Sequence, residues 1–135
     1  MIKEYISTVL GIFTGILAYF LGGFDYLLSV FATILVIDTI TGMLKAWNLG
    51  DYQSKKFRQG FIKKSGYLLG IILAVQMDIL LGDKGVLRDS VVTFFVANES
   101  FSIIENLGQM GVKFPEIFTN ALKALSKEET EDKED

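Results

Sequence analysis

The chain has 135 residues, half of them hydrophobic, with 13 Lys plus Arg against 16 Asp plus Glu, a net charge of -3, and neither His nor Cys. That size fits one domain, and the composition excludes a disordered chain, a disulfide scaffold and a nucleic-acid module driven by positive charge. A Ser-His triad, a thiol nucleophile and a His/Cys metal site are unavailable and no cofactor is called for, while long apolar runs point to the lipid bilayer as partner.

A helix that crosses the hydrocarbon core needs about 20 mostly apolar residues. Residues 6–21 carry no charge, and residues 26–44 carry one, Asp38. Residues 67–81 form a short run containing Asp78, and residues 91–107 are interrupted by Asn98, Glu99, Glu105 and Asn106. The sequence therefore predicts an all-α integral membrane bundle over 1–112 with four transmembrane helices. The fourth is marginal: it either crosses or lies in the interface until partners cover it. Lys3 and Glu4 cancel, and no small-residue cleavage site precedes a soluble domain, so the first run reads as a retained helix. Only residues 22–25 separate it from the second, which predicts a tight hairpin.

Between the second and third runs lie Lys45, Lys55, Lys56, Arg58, Lys63 and Lys64 against the single Asp51. A loop this basic stays in the cytoplasm. Four spans then put both termini inside and the 82–89 turn outside, where Asp83 and Asp89 offset Lys84 and Arg88. The basic loop either sets topology alone or also holds anionic lipid headgroups. Beyond the last span, Pro115 suits the start of a new helix, and Phe114, Ile117, Phe118, Ala121, Leu122 and Leu125 recur at helical spacing. Residues 113–126 are thus predicted to form an amphipathic helix on the inner leaflet or against a neighbouring subunit. Residues 127–135 form a charged tail, predicted to be disordered.

Helices associate in lipid through close packing and interhelical hydrogen bonds. Ser7, Gly11 and Gly15 share one stripe of the first helix, and Gly66, Gly70, Ala74, Asp78 and Gly82 recur every four residues in the third. These stripes serve packing either within one chain or between subunits of a homo-oligomer. Asp38, Asp78, Glu99 and Glu105 fall inside the predicted spans with no Lys or Arg beside them. An ionised acid at a helix centre costs about 2.5 to 3.5 kcal/mol on insertion scales. The available escapes are protonation, basic groups reaching in from the 45–64 segment, mutual hydrogen bonding, or a watery interior made by assembly. Asn98, Glu99, Ser102, Glu105, Asn106 and Gln109 gather on one side of the fourth helix. Asp38, Thr41, Gly42 and Lys45 share a face of the second, with Lys45 close enough to turn back toward Asp38. Two readings of these faces stay open, a buried structural network and a pore lining.

The run Asp38-Thr39-Ile40-Thr41-Gly42 is followed by Ser54-Lys55-Lys56, Gly60, Lys63-Lys64 and Asp78. Asn98-Glu99-Ser100, Ser102-Ile103-Ile104-Glu105-Asn106-Leu107-Gly108 and Pro115 complete a pattern over residues 10–125. In order and spacing it resembles the toxin-secretion and phage-lysis holin family. The resemblance implies a phage or prophage protein of the bacterial cytoplasmic membrane without substrate turnover. Such proteins accumulate, then assemble at a set time into lesions that release an endolysin or, in some relatives, a large toxin. It supplies no catalytic residue, so the matching positions are candidate structural or pore sites. One alternative is a selective ion or small-solute channel built as a fixed small oligomer. Another is a small membrane lipid kinase with Glu99, Glu105 and Asn106 around Mg2+, although no phosphate-binding glycine loop is present.

Overall fold

The computed structural model describes residues 1–131, with side chains described through residue 126. Five helices follow in order: α1 (Ile2–Phe20), α2 (Tyr26–Leu49), α3 (Ser54–Leu81), α4 (Val86–Gln109) and α5 (Glu116–Glu131). No strand occurs among the described residues. The helical backbone of α5 runs on to Glu131, and the rest of the expected disordered tail lies outside the described residues.

The helices outrun the apolar runs that predicted them, because a charged helix end leaves no hydropathy signal. The difference is largest in α3, whose 28 residues measure about 42 Å at the standard helical rise. Lys55, Lys56, Arg58, Lys63 and Lys64 therefore sit on the first half of α3, and Lys45 sits on α2. The expected basic loop shrinks to the residues around Gly50, since the intervening segment is rich in Lys, Phe, Gln and Arg and holds no proline. Gly50 and Gly82 close α2 and α3 in the left-handed conformation, each followed by a backbone bond that ends the helix.

By length and composition α2 and α3 can cross a membrane, with mean hydropathies of 2.0 and 1.5 over their best windows. In α1, Lys3 and Glu4 occupy the first turn. In α4, Arg88, Asp89, Glu99 and Glu105 break the apolar run.

The fourth helix is the hub: α2, α3 and α5 all pack on α4, while α2 and α3 make at most slight backbone contact with each other. Phe31, Tyr67 and Phe95, one from each of the three long helices, fill the gap. Tyr67 stacks on Phe95 at 4.2 Å between centroids, and Phe31 stands 6.3 and 6.5 Å from them. Leu28, Ile71, Val75 and Val92 extend this core toward the α1–α2 turn. The expected hairpin does not form as a packed pair. Only Leu17 and Leu21, at its C-terminal end, join α1 to the core, and no residue of α1 proper is buried. The turn itself is as short as expected, but Gly22 and Gly23 both take positive φ and turn α1 away from the bundle. The amphipathic α5 lies against α4 of its own chain through the buried Leu122, while Ile117, Phe118 and Leu125 stay exposed.

Arg88, 4% exposed, fixes the end of the bundle where α1 meets α2. Its Nε donates to the Leu21 carbonyl at 3.0 Å and its Nη2 to that of Gly23 at 3.1 Å. The same guanidinium bridges both oxygens of Asp25, which also caps α2 by accepting from the Leu28 N–H at 2.9 Å. Gly22 is required here, because its φ is +85° and an added Cβ would lie 3.3 Å from Arg88 Nε. Asp78 supports the same end. Its oxygens accept from the backbone N–H groups of Leu87 and Arg88 at 2.9 and 2.8 Å, at the positive end of the α4 dipole.

Arg88→Ala is expected to destabilise the folded chain by about 1 to 3 kcal/mol, since it strands the buried Leu21 carbonyl and leaves Asp25 without its partner. Thermal unfolding in micelles checks this. Hydrogen bonding to Arg88 holds the Asp25 carboxyl below its usual range. The stability this adds is fully present above about pH 4 and fades as pH falls toward the lowered folded value. Asp25→Asn should flatten that acid limb of the stability profile.

Candidate functional site

The three long helices meet again beyond the aromatic trio, at a cluster of four charges. Asp38 on α2 and Glu99 on α4 lie 12 and 13 residues from the starts of their helices, about 18 to 20 Å along each axis. Lys63 and Lys64 reach them from α3. Lys64 Nζ is 2.7 Å from Asp38 Oδ2 and 3.1 Å from Glu99 Oε2. Lys63 Nζ is 3.0 Å from Glu99 Oε1 and 5.5 Å from the centre of the Tyr67 ring. The Tyr67 hydroxyl donates to Glu99 Oε1 at 2.7 Å. Two carboxylates and two ammonium groups make a neutral set, with Glu99 only 1% exposed at its centre. No buried side-chain nitrogen or oxygen among the described residues is left without a partner.

Of the escapes open to the acids, the structure takes the one in which basic groups of the 45–64 segment reach in, and it corrects the expected donor. The acids of α2 and α4 do have cations beside them, because α3 remains helical back through Lys64 and carries the ammonium group in on a rigid stem. Lys64, and not Lys45, answers Asp38. The cluster continues toward the basic end through Asn106, whose Nδ2 donates to Thr41 Oγ1 at 3.2 Å and lies 3.5 Å from Asp38 Oδ1.

The polar side of α4 is divided by the packing. Glu99 and Asn106 turn inward and are buried, whereas Asn98 and Ser102 are half-buried and Glu105 is exposed. No ion pair engages Glu105 among the described residues. The small-residue stripe of α3 is likewise divided. An added Cβ at Gly70 would sit 3.3 Å from the Phe95 ring, and Ala74 and Asp78 are buried, so this stretch faces α4. An added Cβ at Gly42 would lie 3.8 Å from Asn106 Nδ2, while Gly11, Gly15, Gly66 and Gly82 have nothing of this chain within 4 Å of an added Cβ.

Where α2 and α3 diverge below the cluster, a cavity of about 420 Å³ remains between them, closed on one side by α4. Asp38, Lys64, Ser102 and Asn106 form its inner wall, and Lys45, Asp51 and Lys56 stand near its mouth.

Comparison with known proteins shows the family. The bacteriophage holin family matches residues 15–127. The chain belongs to that family. A probable holin of Bacillus phage phi105 is 37% identical over 108 residues, covering 80% of this chain and 79% of that protein. An uncharacterised protein of Listeria monocytogenes is 37% identical over 122 residues, covering 90% and 87%. The uncharacterised protein YqxH of Bacillus subtilis is 36% identical over 115 residues, covering 85% and 81%. No solved structure matches.

A holin is a non-enzymatic, pore-forming membrane protein, which removes the lipid kinase. The geometry agrees, since Glu99 is committed to Lys63, Lys64 and Tyr67 while Glu105 faces outward, and the two do not converge on a common ion.

Arg88, Asp25 and Tyr67 escaped the sequence reading. A signal for the lysines was present: counting back from the buried Asp78 in steps of three and four gives Val75, Ile71, Tyr67 and Lys64, one continuous stripe of α3. Arg88 follows in the same way from Val92 on α4.

Breaking a buried pair costs about 3 to 5 kcal/mol because the surviving charge is stranded. Glu99→Gln and Lys64→Gln should each destabilise the holin in micelles by about that order. The double variant should lose clearly less than the sum, since each change removes the partner the other would strand. Additive losses in chemical unfolding would mean that the two side chains are not coupled.

Proposed function

We propose that this holin crosses the cytoplasmic membrane four times with both termini inside, accumulates there as a closed bundle, and later oligomerises into lesions that release an endolysin. A toxin is the alternative cargo. The observation that carries the reading is the neutral four-charge cluster at the meeting of α2, α3 and α4. A chain whose acids were bare in lipid would insert poorly or draw in water at once. Paired acids allow quiet accumulation.

Two further features support a second, assembled state. The exposed Glu105 and half-buried Asn98 leave part of the polar side of α4 unsatisfied within one chain. The exposed α1 is packed only at its C-terminal end, and its Gly11 and Gly15 leave room for another helix to approach. Assembly that turns the polar side of α4 toward water gains solvation for each added subunit, so large lesions are favoured over small ones. Membrane potential biases the step, because a unit charge moved through 100 mV is worth about 2.3 kcal/mol.

The six basic residues on α2 and the first half of α3 orient the chain by the positive-inside rule. The Arg88 clamp then faces outward.

Inducible expression in a bacterium tests the reading. Abrupt growth arrest should coincide with release of a large folded cytosolic enzyme, whereas conductance without protein release would identify a small-solute channel instead. At matched protein levels, Glu99→Gln and Asp38→Asn should each advance the onset of lysis. A loss of about 3 kcal/mol from the closed state is more than a hundredfold in its equilibrium. Unchanged timing in both variants would remove the cluster from the mechanism.

A further inference from the structure

The cavity between α2 and α3 combines a polar floor with an apolar, open flank, and its charges do not cancel. Asp38 is held by Lys64 and Asp51 by Lys56, leaving Lys45 with no carboxylate at ion-pair distance among the described residues. The cavity thus offers one uncompensated positive charge. Leu49, Phe57 and Phe61 line its flank and are themselves exposed, so an apolar chain can lie along them without entering the bundle. Trp47 and Tyr52 are exposed at the same level, as aromatic side chains are at a headgroup boundary. A volume of about 420 Å³ is ample for a phosphate and its glycerol linkage.

We propose that this cavity binds one anionic phospholipid of the adjoining leaflet. Its singly charged phosphodiester would sit against Lys45, with Lys56 and Lys64 alongside, and its acyl chains would run over Leu49, Phe57 and Phe61. A single negative charge matches the charge left over, and the three apolar side chains have no use for a soluble phosphate. A zwitterionic headgroup brings its own cation and gains less from Lys45. Because α2 and α3 each pack more closely on α4 than on each other, the lipid joins two helices that the bundle itself brings together only loosely.

The test uses the full chain reconstituted in phosphatidylcholine bilayers with increasing phosphatidylglycerol, followed by mild extraction and native mass spectrometry. One phosphatidylglycerol per chain should be retained, with saturation. Lys45→Gln should weaken retention about fivefold, the worth of one cation near a membrane surface. Gly60→Leu should abolish it while Lys45 remains, because Gly60 lines the cavity and nothing of the chain lies within 4 Å of an added Cβ there. Lys3→Gln, at the far end of α1, should change nothing. Circular dichroism confirms that the variants keep their helices. Equal retention of phosphatidylcholine, indifference to Lys45→Gln, or displacement of the lipid by inorganic phosphate would each overturn the proposal. Retention is read without lysis, so its failure is separable from any failure of lesion formation.

Discussion

The rest of the bundle depends on how charge is carried into its interior. Asp38 and Glu99 sit deep in α2 and α4, and neither helix holds a cation at that level. The third helix supplies both ammonium groups, which fixes much of its form. It must stay helical from Ser54 to Leu81, it must lean on α4, and its face from Lys64 to Asp78 must be the buried one. Tyr67 adds a hydrogen bond to Glu99 and a ring to the aromatic trio, so polar and apolar packing are joined in one side chain. Such a set is sensitive to the loss of any member, because a low dielectric magnifies both pairing and its absence.

The Arg88 clamp plays the complementary part at the other end. It ties the α1–α2 turn to the start of α4, and Asp78 closes that helix start from α3. Between clamp and cluster lies a dry core of Leu28, Phe31, Ile71, Val75 and Val92. Two polar anchors separated by an apolar middle hold three helices in register while α1 remains outside their packing. The molecule is thus packed around its two polar anchors and leaves most of the apolar α1 outside that packing.

Much of this was legible in the sequence. Apolar runs, one uncharged and one holding only Asp38, located α1 and α2, the Gly82 turn separated α3 from α4, and the spacing around Phe118 and Leu122 revealed α5. Hydropathy could not see the first half of α3, because its Lys and Arg read as loop, and this single misreading moved the cations out of the bundle. The candidate acids were visible in the sequence as charges within apolar runs. Their partners were not, because a pair between Asp38 and Lys64 depends on the angle at which α2 and α3 diverge, and no local pattern encodes that angle. The stripe of small residues was recognisable by spacing, but spacing alone could not say that Gly70 meets Phe95 while Gly66 meets nothing.

The most direct test asks in what state the Glu99 carboxyl exists when the chain is quietly inserted. Infrared spectra of the wild-type protein and Glu99→Gln, both reconstituted in intact bilayers at neutral pH, isolate that one group by difference. The account requires the substitution to remove ionised carboxylate bands and leave the protonated carboxyl region unchanged, as befits an anion held by two ammonium groups. Loss of a protonated carboxyl band instead would show that the acid is tolerated in lipid by neutralisation and not by Lys63 and Lys64.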